Sequence, residues 1–106
     1  MQGFVFRLVP PRADFATTMS DDERAMMHAH VAYWGELLAR GRVAAFGPVA
    51  DAGGGYGLGV VLAEDAADAE AIRDGDPTMA PGSGFRTEIA PMYSLVTPAG
   101  TFDGSA

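Results

Sequence analysis

The chain has 106 residues, enough for one domain with a real core, and 48% of them are apolar. Its seven basic residues, all arginine, stand against fourteen acids for a formal charge of −7, which disfavours nucleic acid and anionic membrane as partners. Without cysteine or lysine there is no thiolate nucleophile, disulfide, zinc–thiolate site, Schiff base or P-loop.

No apolar run approaches the ~20 residues of a membrane span, and the opening MQGFVFRLVPP is too short and strand-like for a signal peptide. The default location is the cytoplasm. In chain order, residues 2–9 read as a first strand, with Phe4, Phe6 and Leu8 on one face and Val5, Arg7 and Val9 on the other. Arg7 is unusual among these apolar neighbours, and two readings fit it: solvated at an edge, or lining a cavity and meeting an anionic ligand. Pro10 and Pro11 end the strand, and residues 10–19 read as a loop.

Ser20 to Gly41 predicts one long helix. Ser20 and Glu23 have the spacing of a capping box, Asp21 and Asp22 suit the positive end of the dipole, and Gly41 supplies a left-handed stop. At 100° per residue, Met27, Val31, Trp34 and Leu38 form an apolar stripe, with His30 about 60° off its centre. His28 points about 200° away from His30, so the two cannot grip one metal from this helix. Position alone makes His30 a border residue, partly dried yet reachable, and histidine is a natural proton carrier.

Residues 42–46 predict a second strand ended by Gly47-Pro48, and residues 56–63 a third, joined by a glycine-rich connection that reads as a mobile hairpin tip. Gly57 and Gly59 share one face of the third strand, where something bulky could approach closely. Asp65 caps a second helix over 66–74, ended by Gly75 in the manner of Gly41. After the loop 78–84, residues 86–96 read as the last strand, with Pro91 at a bulge or edge. Residues 1–97 form the domain, and 98–106 read as a flexible tail.

This order, strand, helix, strand, strand, helix, strand, is the ferredoxin-like βαββαβ pattern: a four-stranded antiparallel sheet with two helices on one face. The strands carry large apolar residues on both faces, so one face needs a cover. A second copy of the same sheet is the simplest one, and a homodimer is expected.

Most carboxylates have structural work at helix starts and surfaces. Asp51, Asp76 and Glu88 remain, and Asp76 stands out because a helix-ending glycine precedes it and Pro77 follows, biasing its backbone toward an extended form. Asp-Pro is also a common turn former. An imidazole paired with such a carboxylate makes chemical sense: the carboxylate accepts one ring N–H and fixes the tautomer, while the other nitrogen removes a proton from substrate. Elimination, isomerisation or hydration of a small, partly apolar organic compound fits, and no metal or redox cofactor is required. Tyr33, Trp34, Phe46 and Tyr56 can supply a flat apolar wall, and Arg7 can balance developing negative charge.

The run His30-x-x-Tyr33-Trp34 with Leu37, then Gly41-Arg42-Val43 and Phe46-Gly47-Pro48-Val49, resembles the YCII-related (YciI-like) family. So do Asp51 with its following glycines, Asp76-Pro77 and Glu88-Ile89-Ala90-Pro91, and the likeness covers roughly residues 2–96. The resemblance implies a ferredoxin-like dimeric α+β barrel and a His-Asp active site falling on His30 and Asp76, with Phe46, Gly47 and Pro48 beside the substrate. One relative of this kind dehydrochlorinates an aromatic compound. The departures are the 10–19 loop and the C-terminal tail. The resulting expectation is a lyase-, dehydrohalogenase- or isomerase-like enzyme. A non-catalytic ligand-binding or accessory module, and a cofactor-independent monooxygenase, are the alternatives; fold alone does not separate them.

Overall fold

The computed structural model describes residues 1–104. Its elements are β1 (Gln2–Val9), α1 (Phe15–Thr18), α2 (Asp21–Ala39), β2 (Val43–Val49), β3 (Tyr56–Ala63), α3 (Ala66–Asp74), β4 (Arg86–Pro91), β5 (Ser94–Thr97) and β6 (Gly100–Asp103), with a single 3-10 turn at Pro77–Met79. β1 to β4 form a four-stranded antiparallel sheet in the order β2-β3-β1-β4, the ferredoxin-like arrangement that the element order predicts. Both edge strands contain proline, Pro48 in β2 and Pro91 in β4, where a missing N–H is tolerated.

Strand register separates the two faces. Phe4 lies between Val61 and Pro91, Phe6 between Gly59 and Ile89, and Leu8 between Gly57 and Thr87. This row faces the helices and joins Trp34, Leu37, Val43, Ala69 and Ile72 in the core. Val5 lies between Val60 and Ala90, and Arg7 between Leu58 and Glu88, on the opposite face.

α2 begins as the capping box requires: the Glu23 backbone N–H donates to Ser20 Oγ at 3.1 Å and the Ser20 N–H to Glu23 Oε1 at 2.9 Å. It ends with Gly41 at φ 75° and the Arg42 N–H donating to the Leu37 carbonyl at 2.9 Å. The buried face is rotated from the expected stripe. Trp34 and Leu37 are buried and His30 lies in line with them, whereas Val31 and Leu38 are 54% and 44% exposed. Packing of Trp34 decides this, because its indole ring lies on the bare backbone of β3. A Cβ added at Gly59 would come within 2.5 Å of Trp34 Cη2. The bulky approach expected at the β3 glycines is this ring.

Gly75 differs from Gly41. Its φ is −80°, so no left-handed turn needs it; instead a Cβ there would lie 2.5 Å from the Tyr33 hydroxyl oxygen. The 10–19 segment is more than a loop. It contains α1, whose Phe15 is buried edge-on against Phe85 at 5.0 Å between ring centres. Arg12 ties the segment down, donating to the Thr18 carbonyl at 2.7 Å and to both Glu23 carboxylate oxygens at 3.0 and 2.8 Å.

The C-terminal part also departs from expectation. β4 stops at Pro91, and residues expected to continue it, together with the start of the expected tail, fold into a β5–β6 hairpin. Leu95 is buried against Gly3, where a Cβ would meet the Leu95 Cβ at 2.8 Å, so the hairpin covers one end of the sheet face opposite the helices. Residues 105–106 of the expected tail lie outside the described residues. Among the described residues, no helix is long and apolar enough to cross a membrane.

Candidate active site

The site forms where the middle of α2 crosses the chain just after α3. Asp76 has φ −73° and ψ 129°, the extended geometry that a following proline favours, and caps the 3-10 turn begun by Pro77. Its Oδ1 accepts the Thr78 backbone N–H and the Thr78 hydroxyl, both at 2.9 Å. Its Oδ2 accepts the Trp34 indole N–H at 2.7 Å. His30 Nδ1 completes the set at 2.8 Å from Oδ2 and 3.0 Å from Oδ1.

One carboxylate therefore serves as both turn cap and imidazole partner. An Asp-Pro pair by itself leaves the two roles as alternatives, and the fold combines them. Asp76 is only 6% exposed, and burial pushes its pKa up, but the donors from His30, the Thr78 backbone and Trp34 together outweigh burial and hold it below the usual carboxylate value. An ionised carboxylate can only accept, so His30 Nδ1 carries the hydrogen and Nε2 of the neutral ring carries the lone pair. Nε2 has no hydrogen-bond partner among the described residues. Since no buried side-chain nitrogen or oxygen there lacks one, Nε2 is accessible.

His30 opens on a cavity of about 370 Å³ between α2 and the sheet. Phe6, Trp34 and Phe46 form one aromatic wall, with Trp34 tilted 42° to Phe46 and edge-on to Phe6. Gly57 and Gly59 leave its floor as bare strand backbone. The opposite wall comes from the 10–19 segment and Phe85, with Phe15 and Met19 on the lining. The polar or charged residues on the lining are His30, Tyr56, Arg73, Asp76 and Thr87.

The expected site residues divide accordingly. His30, Asp76, Trp34, Phe46, Gly47, Pro48 and Tyr56 all border the cavity. Arg7 does not: it lies on the other sheet face, with its guanidinium 4.2 Å from the centre of the Tyr56 ring and 3.9 Å from Glu88. Tyr33 is off the lining too; its hydroxyl donates to the Ile72 carbonyl at 2.6 Å, and burial, followed by the Asp76 charge, keeps the phenol protonated to higher pH. Of the other carboxylates singled out, Asp51 accepts the Gly53 N–H in the β2–β3 turn, and Glu88 pairs with Arg86. His28 is exposed away from the site.

Phe15, Met19 and Phe85 come from segments without periodicity, so no sequence signal placed them on the lining. Thr78 had a weak one: the second residue after an aspartate commonly donates back to it. No group of three histidine or acidic side chains among the described residues could hold a metal ion.

A ferredoxin-like α+β domain carrying a helix-borne histidine against a buried aspartate at an apolar cavity is the class of protein defined here. The YCII-related domain model matches residues 4–93, and the chain belongs to that family. A search among curated proteins found no match.

Proposed function

We propose that the protein is an enzyme in which His30 acts as general base and Asp76 as its orienting partner, on a small, partly apolar organic compound. The observation that carries this reading is one imidazole with Nδ1 held by a buried carboxylate and Nε2 unpartnered at an apolar cavity. In the step envisaged, Nε2 takes a proton from a substrate carbon, the electron pair stays on the substrate, and the Asp76 anion stabilises the imidazolium. Loss of a leaving group such as halide from the neighbouring carbon then gives an elimination. Return of the proton at another carbon gives an isomerisation. A lyase or isomerase is thus the reaction class.

Proton exchange tests this without knowledge of the full reaction. Ring-bearing compounds that stabilise the protein on heating are incubated in D₂O and followed by NMR. Wild type should exchange a carbon-bound hydrogen of at least one ligand, with His30→Asn slower by roughly 10²- to 10⁴-fold. Equal exchange by the two proteins would remove His30 from the role of base.

We also propose that a second copy covers the sheet face opposite the helices. Leu58 is 39% exposed there, beside Val5 and Val60, and the hairpin reaches only the Gly3 end. An apolar sheet face of this kind pairs most simply with itself.

A further inference from the structure

We infer that the cavity selects its ligand by charge: it takes an electrically neutral weak acid with a ring-sized apolar body in preference to a permanent anion of the same shape. The inference rests on the general-base reading and narrows its substrate class.

Three observations support it. His30 Nε2, in the tautomer that Asp76 enforces, is purely an acceptor and has no donor opposite it among the described residues. A ligand O–H or acidic C–H supplies that donor, while a carboxylate would set one lone pair against another. Next, the cavity already holds an anion at its inner end, because Asp76 is buried and ionised, so a second negative charge there meets repulsion that water screens poorly. Finally, among the described residues little positive charge faces the cavity to offset that of a bound anion. Arg73 is the one arginine on the lining among the described residues, and Asp74, bound to its Nε at 2.9 Å, already balances part of its charge; Arg7 faces the far side of the sheet. Phe6, Phe46 and Phe85 offer an anion no hydrogen bond, and burying an unpaired charge among them is costly.

A bound neutral acid XH places its hydrogen on Nε2. When the X–H bond breaks, the proton moves to that nitrogen, the electron pair stays on X, and the imidazolium keeps its bond to Asp76. The site therefore stabilises a negative charge that forms in place better than one carried in from water.

Trp34 is the only tryptophan of the chain and borders the cavity, so its fluorescence reports occupancy. Three nitroaromatic quenchers of one ring size serve as probes in mildly alkaline buffer, where an ordinary imidazole is uncharged and 3-nitrophenol still keeps its proton: 3-nitrophenol, 3-nitrobenzoate and nitrobenzene. The phenol should bind at least about tenfold tighter than the benzoate, the size of effect that one matched against one unmatched buried polar group gives. Its phenolate absorption band should rise on binding, and His30→Gln should shrink the preference to about twofold or less. Benzoate binding as tightly as the phenol, or tighter, would overturn charge selection; loss of that affinity in Arg73→Gln would then locate an anion subsite. Failure of all three to quench Trp34 would overturn the inference as well. The D₂O exchange experiment judges the general-base reading separately, because it asks whether His30 moves a proton and not which charge the cavity prefers.

Discussion

Four hydrogen bonds converge on Asp76, and each costs something different to lose. Trp34→Phe keeps a ring in the aromatic wall but deletes the indole donor, leaving Oδ2 with His30 alone. A hydrogen bond to a charged, buried acceptor contributes roughly 1.5–3 kcal/mol, so the variant should lose about 2 kcal/mol in urea unfolding. An unchanged midpoint would mean that the indole bond is not formed in solution. The neighbouring glycines give a sharper contrast. Gly59→Ala drives a methyl into the Trp34 ring and should cost roughly 1–3 kcal/mol. Gly57→Ala meets only the Leu8 side chain, at 3.2 Å, and should cost well under half as much. Similar losses in both would show that the ring does not rest on Gly59.

At the scale of elements, the start of α2 and the 10–19 segment are joined through one carboxylate. Glu23 closes the capping box and receives both Arg12 donors, and the Arg12 bond, followed by the Ser20 backbone N–H, lowers its pKa from the usual 4.5 to about 2. A depressed carboxylate contributes stability that is fully present above its unfolded value and is lost as pH falls through the folded one. The contribution of Glu23 should therefore fade between about pH 4.5 and 2. Glu23→Gln should flatten the fall in thermal midpoint across that window while lowering the midpoint at neutral pH. A wild-type slope retained in the variant would assign the acid sensitivity to another group, with Asp76, also held below its ordinary value, the next to test. Because Phe15 and Met19 stand on the cavity, this latch also bears on the shape of the site.

For the whole molecule, the two faces of the sheet have separate tasks. The helix side holds the core and the His30 cavity, while the other side presents Leu58, Val5 and Val60 around the Arg7–Glu88 pair. If a second copy covers that side, Val60→Asp should convert a sedimenting dimer into a monomer without disturbing the His30–Asp76 bond, because Val60 pairs with Val5 on the opposite face and is off the cavity lining. Wild type sedimenting as a monomer at all concentrations would rule out the pairing.

Local signals in the chain determined much of this architecture. Ser20, Glu23 and Gly41 marked both ends of α2, because capping is settled within a few residues. Alternation in β1 and the order of elements gave the four-stranded sheet, and the histidine and the aspartate before proline both stood out as candidates. Which face of α2 turns inward was another matter. The expected stripe of Met27, Val31, Trp34 and Leu38 gave way to a line through His30, Trp34 and Leu37, because a tryptophan that both rests on Gly59 and donates to Asp76 outweighs the burial of Val31 and Leu38. Arg7 went to the far face through strand register, and residues 94–103 folded back because Leu95 found the space above Gly3. Contacts between residues dozens of positions apart decided these points. No window of local sequence contains both partners, so only the folded chain could bring a helix imidazole and a turn carboxylate within hydrogen-bonding distance.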